Sequence, residues 1–62
     1  MDLKTRLKIL MIEKDITTQE LAAKVGTKPL AVYRWRSGER SPNPEHLKAL
    51  SDILGEDLGA YK

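Results

Sequence analysis

The sequence predicts an all-α protein, a compact bundle of four to five short helices forming one domain over residues 1–62. Three observations predict it. Apolar residues recur at helical spacing in consecutive stretches, from Leu3, Leu7 and Leu10 at one end to Leu47, Leu50, Ile53 and Leu54 at the other. Residues that cap or open helices, Asp2, Thr17, Pro29, Asn43 and Pro44, stand ahead of these stretches. Gly26, Gly38 and Gly55 stand directly behind them, where a chain leaving a helix often takes positive φ.

The first helix is expected from about residue 3 to 14, capped by Asp2, with Leu3, Leu7 and Leu10 turned inward. Ile9, Met11 and Ile12 make its C-terminal end apolar almost all round. Either later helices cover that second side or a partner meets it. Thr17 opens the second helix with a capping box, because Glu20 follows three residues later, and Ile16 and Leu21 are placed to close a hydrophobic staple over the cap. Leu21, Ala22 and Val25 form one apolar stripe before Gly26 ends the helix. So short a helix must be held by packing.

Pro29 suits the first position of a third helix and forbids the second from continuing through it. Val32, Trp35 and Arg36 share one side of this helix. Leu30, Tyr33, Arg34 and Ser37 share the other, with Pro29 at its N-terminal rim. Gly38 ends the helix, Glu39 to Ser41 form a loop, and Asn43 with Pro44 starts a fourth helix that Gly55 closes. The final residues hold one further turn, with Leu58 inward and the place of Tyr61 left open.

Composition narrows the function classes. A chain of 62 residues buries only about 60% of its unfolded surface, so the core is thin and no separate sensor domain is expected. With zero cysteines there are no disulfides and no thiolate metal sites, which fits a reducing compartment. No apolar run approaches the ~18 residues of a membrane span, and the N-terminus has no secretion signal, so a cytoplasmic protein with no membrane partner is expected. A net charge of +2 permits nucleic-acid binding without requiring it. Lys24, Lys28, Arg34, Arg36 and Arg40 cluster around the second and third helices, whereas Glu45, Asp52, Glu56 and Asp57 gather in the final third.

The outer side of the third helix is the functional clue. An exposed amphipathic face is usually mostly charged, but this one combines proline, leucine, tyrosine and arginine. Such a face is either a mixed solvent-exposed surface or one suited to thymine methyls and guanine edges in a major groove.

Thr18, Glu20, Leu21, Ala22, Val25, Gly26, Val32, Trp35 and Gly38 together resemble the motif of the lambda-repressor-like helix-turn-helix family, also called Cro/XRE. The run from Trp35 to Pro42 is similar to that family's loop after the recognition helix. The resemblance implies a lambda-repressor-like DNA-binding fold and, by residue-for-residue match, base reading by Pro29, Leu30, Tyr33 and Arg34. Thr17, Thr18 and Gln19 would meet a phosphate at the N-terminus of the second helix. Lys28, Arg36, Ser37 and Arg40 would meet the backbone elsewhere. Many members of that family carry arginine where this chain has Met11 and glutamate where it has Arg36. The simplest account of the paired change is an Arg36 stem lying on Met11 with its guanidinium free to reach a phosphate. Where that family usually has a serine or threonine cap, this chain has Lys28, which leaves the third helix uncapped unless Thr27 serves. Lys28 is therefore either a backbone contact or an ordinary solvated lysine.

The implied function is sequence-specific binding of double-stranded DNA by a Cro-like transcriptional regulator acting as a repressor. One module reads too few base pairs to find a genomic site, so an inverted-repeat operator and a homodimer that is weak, or forms only on DNA, are expected. Two alternatives share the fold: a protein-interaction module such as an antitoxin or anti-activator, using Ile9, Ile12, Leu30 and Tyr33, or a recombination or replication accessory. No enzymatic activity, cofactor or metal is expected. His46 lacks a second ligand and is expected to be solvated, and the glycines match neither a phosphate loop nor a dinucleotide fingerprint.

Overall fold

The computed structural model describes residues 1–61. Helices α1 (Leu3–Glu13), α2 (Thr18–Val25), α3 (Pro29–Ser37) and α4 (Pro44–Leu54) follow one another, and a 3₁₀ turn, Leu58–Ala60, closes the chain. The Asp2 carboxylate accepts the Thr5 amide at 3.0 Å, which lowers its pKa, and Asn43 Oδ1 accepts the His46 amide at 2.8 Å. At α2 the box is complete: Thr17 Oγ1 accepts the Glu20 amide at 3.1 Å and Glu20 Oε1 accepts the Thr17 amide at 3.2 Å. Thr17→Ala removes this cap, and urea denaturation is expected to show a loss of about 0.5–2 kcal/mol.

Every element contributes to one core. Leu7, Leu10 and Met11 come from α1, Leu21 and Ala22 from α2, Val32 and Trp35 from α3, Leu50 and Leu54 from α4, and Leu58 from the closing turn. α2 packs on α3 and α4, and α1 packs on α3. Ala22 is buried at this packed surface, where a small side chain suits close helix approach. Ile16 joins the rim of the core, as a staple over the α2 cap requires. Gly26 makes the turn between α2 and α3 at φ +89°, with its amide donating to the Ala22 carbonyl at 2.9 Å.

The apolar end of α1 divides. Met11 is buried and Ile9 half-buried, but Ile12 stays 77% exposed. α1 itself ends at Glu13, one residue before the expected boundary; Lys14 is its C-cap and Asp15 follows at φ +53°.

One tie links residues fifty positions apart and had no counterpart in the sequence reading. Arg6 grips Glu56 with two hydrogen bonds, Nε to Oε2 at 2.7 Å and Nη2 to Oε1, and the Tyr61 hydroxyl donates to Oε2 at 2.8 Å. This gives Tyr61 a role: it holds the closing segment to α1 through Glu56. The Arg6 hydrogen bond is the main cause that lowers Glu56 from its ordinary 4.5 to about 2, with Tyr61 second. A carboxylate whose pKa falls on folding stabilises the fold above its unfolded pKa and loses that contribution as pH falls through the folded value. The thermal midpoint is therefore expected to drop more steeply between pH 4.5 and about 2 in the wild type than in Glu56→Gln; parallel curves would sink this assignment. Ser51 completes the closure, its hydroxyl donating to the Leu47 carbonyl and accepting the Leu58 amide at 3.0 Å, which turns Leu58 into the core.

Candidate nucleic-acid interface

α3 has an inner and an outer side because its apolar residues follow helical periodicity. Val32 and Trp35 are buried, whereas Leu30 and Tyr33 on the outer side are 56% and 59% exposed. Pro29 occupies the first turn, and Lys28 is the N-cap without a side-chain hydrogen bond. Thr27 does not substitute as the cap residue; its amide donates to the Ala22 carbonyl at 2.9 Å. A cleft of about 510 Å³ runs along the N-terminal half of this side and brings Lys28, Leu30 and Arg34 together beside the Gly26 turn.

Arg34 is partly exposed and lies 3.7 Å from a Glu39 carboxylate oxygen. An exposed pair of that length is weak, on the order of 0–1 kcal/mol, and is easily exchanged for another acceptor. Ser37 caps the helix end locally: its hydroxyl donates to the Arg34 carbonyl at 3.1 Å and accepts the Glu39 amide at 3.4 Å. Arg40 is exposed and, like Lys28, has no carboxylate at ion-pair distance among the described residues.

At the N-terminus of α2, the Thr17 amide is committed to Glu20, so the amides of Thr18 and Gln19 are those left for an incoming acceptor. Here the structure corrects one expectation. The guanidinium of Arg36 is only partly free: Nη1 donates to Thr18 Oγ1 at 2.9 Å, and Nε is buried without a partner. Arg36 lines a cleft of about 270 Å³ that Met11, Ile12, Asp15, Ile16, Thr17 and Thr18 also line. The reason is reach: a long side chain near the end of α3 is held by the nearest hydroxyl on the helix packed against it. His46 is a second correction. Its ring is half-buried, 5.3 Å from the Trp35 ring at a tilt of 47°, rather than solvated.

Among the described residues, no group of three or more His, Cys, Asp or Glu side chains is placed to hold a metal ion. Nor, among the described residues, is any helix long and apolar enough to cross a membrane.

The structure thus gathers Pro29, Leu30, Tyr33 and Arg34 on one open side of α3. Ser37 and Arg40 lie at its C-terminal end, Lys28 at its start, and Thr17, Thr18 and Gln19 on the neighbouring helix end. Neither a curated protein nor a solved structure matches the chain. A family model described as helix-turn-helix does match, over residues 7–60, from the middle of α1 through the closing turn. That match spans all the elements that carry the motif resemblance, and the chain belongs to the Cro/XRE-like helix-turn-helix family, whose members are DNA-binding regulators.

Proposed function

We propose that the protein binds double-stranded DNA sequence-specifically as a Cro-like repressor, with the outer side of α3 in the major groove and two copies on an inverted repeat. The observation that carries this reading is the α3 surface itself. Two large apolar side chains stay more than half exposed next to an arginine, on a helix whose opposite side is locked into the core by Val32 and Trp35. Apolar groups fit thymine methyls, and a guanidinium fits the O6 and N7 acceptors of guanine. The free amides of Thr18 and Gln19, with Lys28 and Arg40, supply donors for phosphates, which fix the register rather than the sequence.

Lys28 is the sharper case. As an uncapped cation at the positive end of α3 it is unfavourable in the free protein, and a phosphate beside it reverses that sign. Lys28→Ser is expected to stabilise the free chain by on the order of 1 kcal/mol. It should weaken binding to all duplexes alike, and urea denaturation with titrations on two unrelated duplexes checks both signs.

The test of the reading is selection of bound duplexes from a random pool. An enriched inverted repeat supports a dimeric specific reader. A strict monomer on such a site in ultracentrifugation refutes the dimer, and failure to enrich any sequence refutes specific reading. In that second case the exposed Ile12 would direct the search to a polypeptide partner.

A further inference from the structure

α1 carries two exposed lysines at a spacing of four, Lys4 and Lys8, which places them on one helix face. Each lines a cleft with α3 or with the loop that follows it. Lys8 shares a cleft of about 230 Å³ with Tyr33, Arg36 and Ser37. Lys4 shares one of about 210 Å³ with Trp35, Gly38, Arg40 and Ser41, together with Asp2 and Leu3. The Lys4 stem lies across the last turn of α3, so closely that a methyl group on Gly38 would stand 2.6 Å from its Cδ and 3.4 Å from its Nζ.

Each cleft therefore has two cationic residues in its lining, Lys4 with Arg40 and Lys8 with Arg36. Neither lysine has a carboxylate at ion-pair distance among the described residues, whereas Arg6 has two, Glu13 and Glu56, and Arg34 has one. Asp2 is the one carboxylate lining either cleft, and it is engaged with the Thr5 amide. Like charges that share a cleft are mutually unfavourable, and an oxyanion bound there reverses the sign. Arg36 adds a buried Nε with no partner. The two clefts also continue the surface proposed to meet DNA: Tyr33 is on the outer side of α3, and Arg40 is in the loop after it.

We infer that Lys4 and Lys8, with Arg40 and Arg36 in the same clefts, form a second cationic stripe along α1 that follows the phosphates of a DNA strand beside the groove occupied by α3. This rests on the proposed DNA binding and extends its footprint from the helix-turn-helix onto α1, to residues outside the motif. The stripe carries no sequence information. It adds affinity and salt dependence through counterion release.

The experiment is a titration of the full chain on a random-sequence duplex over a series of salt concentrations, followed by fluorescence anisotropy. Lys4→Gln and Lys8→Gln are each expected to lower the slope of log affinity against log salt by roughly one, and the double variant by about two. Lys→Arg at both positions should keep the wild-type slope, which separates charge from packing. Lys14→Gln is the control for net charge, because Lys14 acts on Glu56 at the other end of α1. It should change the slope little; a fall equal to that of Lys8→Gln overturns the stripe. An unchanged slope in the double variant, with wild-type binding intact, overturns the inference alone. Absence of salt-dependent duplex binding by the wild type overturns it together with the DNA-binding reading.

Discussion

Leu50→Ala is expected to lower stability by about 2–5 kcal/mol, the range for truncating a fully buried leucine. Leu50 has no exposed surface and stands on α4, which braces α2 from behind. A 62-residue chain has a total stability of about 3–9 kcal/mol at the usual value per residue. The truncation thus removes a large share of it, and a substantial part of the chain should be unfolded near room temperature. Because Leu50 lies outside the helix-turn-helix, DNA affinity should fall only with the folded fraction, and base preference should not change. An excluded osmolyte such as TMAO, which favours burial, is expected to restore both folding and affinity. Urea denaturation with parallel duplex titrations measures this. A variant that melts with the wild type would mean that α4 is not a brace, and one that stays folded but binds weakly would mean that α4 contributes to the interface.

The elements were legible in the sequence because their signals are local. A cap and the backbone amide that donates to it lie three residues apart at Asp2, Thr17 and Asn43, and a glycine follows each of α2, α3 and α4. The two sides of α3 follow from periodicity alone, which is why Val32 and Trp35 were read inward and Leu30 and Tyr33 outward. What the sequence did not carry is partner choice between distant side chains. Arg6 has several carboxylates in the chain to choose from, and only the closing of the last segment over α1 selects Glu56. Likewise no local pattern says that the single histidine meets Trp35 across the loop after α3.

The candidate interface follows the same division. Which side of α3 is open was readable, but what its polar groups do in the free chain was not. Ser37 turns back onto the Arg34 carbonyl, Thr18 holds Arg36, and Glu39 stands near Arg34. Each arrangement depends on rotamers that any of several neighbours could have captured. Lys4 and Lys8 escaped the sequence reading for a related reason: α1 precedes the motif, and only the packing of α1 on α3 brings its lysines beside Arg40 and Arg36.

Arg34→Ala should show the largest effect on recognition, with a loss of about 1–3 kcal/mol on the preferred duplex, about 150-fold at its upper end, and relaxed preference at one base pair of each half-site. The magnitude follows from what the guanidinium can do that no neighbour can. Pro29 and Leu30 bring no side-chain donor to a base, and Tyr33 has a single hydroxyl. A fork of donors bidentate to guanine is lost entirely on truncation. Little of the loss should come from the free protein, because the exposed Glu39 pair at 3.7 Å is weak. Glu39→Gln supplies the complementary case. Removing that carboxylate releases Arg34 and takes a negative charge away from the duplex, so affinity should rise on all sequences while the preferred base stays the same. Selection from a random pool with each variant at one fixed salt concentration separates the two. If Arg34→Ala weakens every duplex equally and leaves the selected sequence intact, Arg34 is a phosphate contact and base reading passes to Leu30 and Tyr33.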